Sequence, residues 1–253
     1  SQLPGGRFVV GFGRLDPEGD HVGLWIDDRR ADGHQPAVVT AIAKHSTTEI
    51  WRQVINDGMD ILGGAAISRG PRNLLAHGYM GTPICITVEG ANILTRTLII
   101  FGQGSIRCHP FVNAEMQAVA DNDLRGFDKA FFGPLGFVFS NAIRSLVLAL
   151  TGGRLALAPE DGPAADYFRA LTRFSASFAL LADVCLATLG GALKRREKIS
   201  GRLADSLAWL YLASAPLKRF HDDGRPAGDV ALLRIHRHRT HKLPHDWIAR
   251  MLS

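Results

Sequence analysis

Cysteine is scarce and scattered. Cys85, Cys108 and Cys185 are odd in number, far apart and without a CxxC pair. That spacing gives no disulfide framework and no thiolate zinc site, and it fits a reducing compartment. Uninterrupted apolar runs are also missing. The two most apolar windows are broken, Phe131 to Leu150 by Pro134, Asn141 and Arg144, and Phe174 to Ala192 by Asp183. Neither reads as a membrane span of about 20 apolar residues. The start, SQLPGGRFVV, lacks the charged and apolar regions of a secretory signal. The expectation is a soluble chain, at most peripheral to a membrane.

What is present is ordinary for a globular protein: 46% hydrophobic and 21% charged residues in 253, enough for one large domain or two smaller ones. The net charge of +5 and pI near 9.4 are modest. The excess gathers at Lys194 to Lys198 and beyond Arg234, which would suit nucleic acid, an anionic membrane or a polyanionic ligand. Taken alone, the KRREK run reads as a solvated basic face.

Residues 1–35 are rich in Gly and Asp, with short β-type runs that would make a hairpin. Gly11-Phe12-Gly13 is a weak dinucleotide-loop signal, because no helix with the right glycine spacing follows. Residues 36–62 predict a long helix with Pro36 in its first turn, stopped by Gly63-Gly64. The glycines and prolines of 65–88 predict mostly irregular chain with one short helix at 72–77. Further helices are expected at 91–101, at 110–120 and at 123–150, the last started or interrupted by Gly133-Pro134.

After a linker (Gly152-Gly153 and Pro159 to Pro163) come two amphipathic helices, about 164–189 and 197–220. The first aligns Tyr167, Leu171, Phe174, Phe178, Leu181 and Cys185, and the second Ile199, Leu203, Leu207, Leu210, Ser214 and Leu217. Such stripes predict an antiparallel helical pair. Asp183 would face solvent or pair with a basic residue. His236, His238, His241 and His245 resemble a metal tract but lack acidic or Cys partners, so 231–253 reads as a basic His-rich tail and no metal is assigned.

Glu89 stands apart from the other carboxylates. It follows the apolar run Ile84-Cys85-Ile86-Thr87-Val88 and precedes Gly90. Apolar neighbours disfavour its charged form and would raise its pKa toward that of a base able to deprotonate a carbon acid. The plain alternative is a Glu in a first helical turn, favoured by the macrodipole. Glu49, Asp57 and Asp60 read as surface or helix-end charges.

The string ITVEGANILTR, with LGG at 62–64 and IFGQGSIRCHP at 100–110, resembles the large bacterial acyl-CoA dehydrogenases of fatty-acid β-oxidation. PAVVTAIAKH from Pro36, INDGMDILGG from Ile55, GPRNLLA from Gly70, GGALKRREKISGRLAD from Gly190 and YLASAPLKR from Tyr211 agree, in one order, from about Pro36 to about Val230. The resemblance implies a mainly α fold: a helical bundle like the C-terminal domain of these enzymes plus an added helical region. It divides the chain into an atypical Gly-rich segment (1–35), part of the base-bearing C-terminal domain (36–153), the added region (154–230) and the tail (231–253).

The same resemblance implies FAD as cofactor, fatty acyl-CoA as substrate and an electron-transfer flavoprotein as acceptor. It makes Glu89 the catalytic base and Gly63 and Gly64 cofactor-binding, their backbone approaching the FAD of a neighbouring subunit in a homo-oligomer. Asp60, Ala91 and Ile93 replace side chains that hold FAD in smaller members. No nucleic-acid partner is implied; the place is cytoplasmic, with inner-membrane association as the alternative. Both ends depart from the family, so the expectation is a fragment or mis-framed product of a longer gene. An acyl-CoA oxidase and a non-enzymatic helical interaction protein are the competing readings.

Overall fold

The structure, a computed structural model, describes residues 7–10, 24–27, 37–88, 90–104, 124–158, 162 and 164–231. Strands β1 (Arg7–Val10) and β2 (Leu24–Asp27) pair antiparallel, Val9 opposite Trp25, as the hairpin expectation had it. The rest of the described chain is helical, so the fold is mainly α.

Helix α1 (Ala37–Leu62) has the expected extent and ends where Gly63 takes φ +54°, a conformation L side chains rarely adopt. A single turn, α2 (Gly64–Ile67), follows. The buried side chain of Asn73 then gathers the loop: its amide donates to the carbonyls of Ala65, Ala66 and Ser68, while its Oδ1 accepts from Ala76 N at 3.1 Å and caps the next helix.

That helix, α3 (Leu74–Thr87), corrects the sequence reading of a mostly irregular stretch. Gly78 was read as punctuation but serves packing. A Cβ there would lie 2.8 Å from Ile55 Cδ1, and one on Gly58 would lie 2.8 Å from Leu75 Cδ1, so α1 and α3 interlock through two glycine notches. Tertiary packing outweighs the helix propensity lost at glycine. Pro83 sits inside α3 without ending it.

Helix α4 (Asn92–Leu94) runs on into a π-helical stretch, Thr95–Gln103, with Ile100 and Phe101 fully buried. Helix α5 (Leu124–Leu150) is continuous through Gly133-Pro134, which corrects the expected interruption. The flanking turns of a long helix sustain it across the one hydrogen bond a proline removes. The glycine linker at 152–153 is present, both residues at positive φ. The expected helix at 110–120 and the tail with its four histidines lie outside the described residues.

Helices α6 (Ala165–Leu189) and α7 (Glu197–Asp222) are joined by the 3-10 turn Gly190–Arg195. Ala164 and Tyr167 pack on Leu217 and Phe220, while Leu181 and Cys185 join the cluster that holds Leu203. The start of α6 thus meets the end of α7, the expected antiparallel pair. The Arg173 guanidinium lies over the ring of half-buried Phe174, 4.8 Å from its centre. The main core unites Ala41 to Ala43 of α1, Ile100 and Phe101 of the π-helical stretch, Leu193, and Leu203, Ala204, Ala208 and Leu212 of α7. Phe178 of α6 meets Phe101 edge-on, with centroids 6.3 Å apart.

Asp183 does not face solvent, one of the two expected outcomes. It is buried and accepts from Asn141 Nδ2 of α5 at 2.9 Å. A buried carboxylate must be hydrogen-bonded, and a neutral amide across the α5–α6 contact provides this. By length and a mean hydropathy of 1.8, the helix spanning Ala165–Leu193 is long and apolar enough to cross a membrane, against the sequence reading. Within the fold it packs on α5 through Ala176 and Asp183 and on α7 through Phe178 and Leu181.

Candidate functional site

The loop between α3 and α4 carries the site. Val88 closes α3 by donating its N–H to Ile84 O at 2.9 Å. Glu89 itself lies outside the described residues, as does Cys108. Gly90 takes φ +94°, and a Cβ there would sit 3.3 Å from Thr95 Oγ1. The glycine after the glutamate is therefore required by backbone geometry, a reason the sequence reading did not supply.

Lys44 of α1 holds this loop. Its Nζ donates to Gly90 O at 2.8 Å, to Asn92 Oδ1 at 2.7 Å and to Ile86 O at 3.3 Å. Three N–H donors meet three acceptors, which satisfies the ammonium. Buried Asn92 passes the contact on, its Nδ2 donating to Thr48 Oγ1 and Glu49 Oε1, both at 2.8 Å. Thr95 Oγ1 adds a second donor to Gly90 O at 3.3 Å.

Glu49 is thus no ordinary surface charge, as the sequence reading had it, but the far anchor of this network. Asp57 and Asp60 are exposed, as expected. Lys44, Thr48 and Glu49 were missed because their i, i+4 and i, i+5 spacing on a polar helix face resembles any solvated stripe.

His45, next along α1, has its pKa lowered by burial, opposed by the Glu49 and Asp205 carboxylates and reinforced by Arg96 and Lys44. Arg96, on the π-helical stretch, ties it to α7, its Nε and Nη2 each donating to one oxygen of Asp205, both at 2.5 Å. Ile84, Val88, Ile93 and Leu94 are all exposed, with Ile93 at 69%.

Gly63 and Gly64 stand elsewhere. A Cβ on either would meet nothing within 4 Å, so a ligand can approach this turn along its backbone. Yet α1 rises about 28 Å between Lys44 and Gly63, at 1.5 Å per residue. The structure does not bring the glycine turn to the Glu89 loop. The KRREK run is solvated where its side chains are described, at Arg195 to Lys198. Among the described residues no group of three or more His, Cys, Asp or Glu could hold a metal ion.

The sequence profile of the acyl-CoA dehydrogenase C-terminal domain, bacterial type, matches residues 106–242. The chain belongs to this family, and its function is of the acyl-CoA dehydrogenase type. No solved structure matches it. Gly63, Gly64 and Glu89 precede the matched residues.

Proposed function

We propose that this chain is the base-bearing C-terminal part of an FAD-dependent acyl-CoA dehydrogenase that converts fatty acyl-CoA to trans-2-enoyl-CoA in β-oxidation. The family match over residues 106–242 carries the reading. Glu89 is the base that takes the α-proton of the thioester. Lys44 ties the backbone at Ile86 and at Gly90, on either side of it in the sequence, and proton transfer requires a positioned base.

FAD, when bound, supplies the acceptor for the β-hydrogen that leaves as hydride. The open Gly63-Gly64 turn fits a group that approaches the backbone closely. Its distance from the Lys44 end of α1 supports service to a neighbouring subunit's site in a homo-oligomer. The exposed apolar residues around the loop support a site completed by a second surface, which would exclude water and raise the base's pKa. An electron-transfer flavoprotein is the acceptor in this reading, and the place is the cytoplasm, with inner-membrane association as the alternative.

The test is flavin absorbance near ~450 nm on the purified chain, with FAD and a saturated acyl-CoA added. Bound flavin that bleaches with acyl-CoA, and fails to bleach in Glu89→Gln, is the expected outcome. Bleaching that survives Glu89→Gln overturns the assignment of the base. A chain that never binds flavin overturns the assignment of FAD binding to this chain. It would favour an inactive portion or a helical interaction protein, toward which the exposed apolar residues at the loop point.

A further inference from the structure

Helix α5 is inverted over its second half. Between Val138 and Leu150 its buried positions are Asn141, Ser145 and Leu148, two of them polar. Asn141 donates to Asp183 at 2.9 Å and Ser145 to Ser177 at 3.4 Å, which holds that face on α6 and fixes the rotation of α5 about its axis. The opposite face carries the large apolar side chains. Phe139, Ile143, Leu146 and Leu150 are all exposed, Phe139 at 68% and Leu150 at 78%, with exposed Val147 beside them. A helix in water turns its apolar stripe inward, so a continuous stripe turned outward marks a contact surface.

The spacing of the stripe identifies the partner. Steps of four, three and four residues are those of a coiled-coil seam, narrower than the stripe of a helix that lies on a core or a bilayer. They also read the same in both directions about a point between Arg144 and Ser145. A second α5 laid antiparallel across that point sets Phe139 against Leu150 and Ile143 against Leu146, each contact made twice, as a two-fold interface requires. The residues flanking the seam, Ser140, Ala142, Val147 and Ala149, are small and uncharged, so two copies approach without like-charge repulsion. Arg144 is the single charged residue between 138 and 150 and stands about 120° round the helix from the seam. A helix lying in a membrane surface carries Lys or Arg along its polar face; the other face of this one is packed on α6.

Beyond the helix, Ala156 packs on Leu148, and its neighbours Leu155 and Leu157 extend the apolar surface, Leu157 at 92% exposure. The exposed parts of these side chains together offer roughly 800 Å² per chain, about what each partner of a standard interface buries.

We propose that the outer face of α5 is the surface through which two copies of this chain associate, as an antiparallel helix pair with its two-fold axis between Arg144 and Ser145. Neither Glu89 nor flavin enters into this contact.

Sedimentation equilibrium of the full chain then gives a dimer. Its dissociation constant rises by about a hundredfold or more in Leu146→Glu, which brings two carboxylates into the apolar contact near the axis. Leu150→Ala, the milder variant should Leu146→Glu fail to fold, weakens it by about tenfold. Val54→Glu, at an exposed apolar position on α1, leaves it unchanged. On mild oxidation Phe139→Cys combined with Leu150→Cys gives a disulfide-linked dimer, because the two positions lie about 16 Å apart along one helix and can bridge only between copies. Neither single substitution adds linked dimer above the parent chain.

A chain that sediments as a monomer at about 0.1 mM overturns the proposal, and flotation of that monomer with phosphatidylglycerol vesicles would give the face to a bilayer instead. A dimer indifferent to both Leu146→Glu and Leu150→Ala overturns it by placing the contact elsewhere. A dimer linked through Phe139→Cys alone overturns it by making the pair parallel.

Discussion

Arg96 and Asp205 meet as two parallel forks, guanidinium Nε and Nη2 against the two carboxylate oxygens at 2.5 Å each, and Gly201, one turn earlier on α7, lies against the same guanidinium. A Cβ on Gly201 would sit 2.9 Å from Arg96 Nη1. The pair joins the helix that leaves the Glu89 loop to α7. It is a third exposed on each side, so its net worth sits toward the low end of charge-assisted hydrogen bonds.

Arg96→Ala and Asp205→Ala should each cost about 1–2 kcal/mol, with a double mutant hardly worse than either single one, because they remove the same interaction. Gly201→Ala should destabilise the wild-type chain by pushing the guanidinium off its partner. In the Arg96→Ala background the same change should stabilise by about 0.5–1 kcal/mol, the helix propensity gained over glycine. Denaturant midpoints of the four chains read this sign reversal, and a Gly201→Ala effect independent of Arg96 would remove the steric account.

Gly78→Ala should cost about 1–3 kcal/mol through overpacking, since the new methyl meets Ile55, which is buried between α1 and α3. Adding Ile55→Val, which deletes the Cδ1 it strikes, should recover most of that loss. Gly58→Ala should be milder, because the end of a half-exposed Leu75 can rotate away. Thermal melts in parallel would rank the three.

Asn141→Leu should cost about 1–3 kcal/mol by leaving the buried Asp183 carboxylate one donor short. Replacing both, Asn141→Leu with Asp183→Leu, should recover much of it, since exchanging a buried polar pair for apolar groups of similar size is often close to neutral. Stability measured by urea unfolding decides this; a double variant as unstable as the single would mean the carboxylate has other necessary partners.

Burial holds the pKa of His45 below the usual 6.5. The unfolded chain therefore binds the proton more readily than the folded one between those two values. Stability from this group is complete above 6.5 and declines as pH falls toward the lowered folded value. His45→Gln should flatten that part of the stability–pH curve, as urea midpoints taken from pH 7.5 down to about 5 would read it. A slope unchanged in His45→Gln would assign it to other groups.

The helices whose stripes run unbroken were legible in the sequence. Ala37–Leu62, Ala165–Leu189 and Glu197–Asp222 fall within two residues of the expected bounds, because a 3.6-residue apolar period states both the helix and its buried face. Leu74–Thr87 was misread for a physical reason: glycine signals a break when local propensity rules and a notch when a neighbouring helix needs to come close. The site was half legible. Glu89 and Gly90 stand out beside an apolar run, whereas Lys44 and Asn92 look like any surface lysine and any helix-start asparagine until a chain separation of 48 residues folds back on itself.

By itself, then, the sequence determined the mainly α class, the extent of its periodic helices and the glutamate–glycine step, since each depends on neighbours a few residues apart. Only the tertiary structure decided that Lys44 and Glu49 brace the loop from α1, that Arg96 finds Asp205 on α7, and that Asp183 is buried on Asn141. It also placed the Gly63-Gly64 turn at the far end of α1 from that loop. Those relations join positions 19 to 109 residues apart, and hydrogen-bond partners at such separations are chosen by the packing of helices, which no local pattern records.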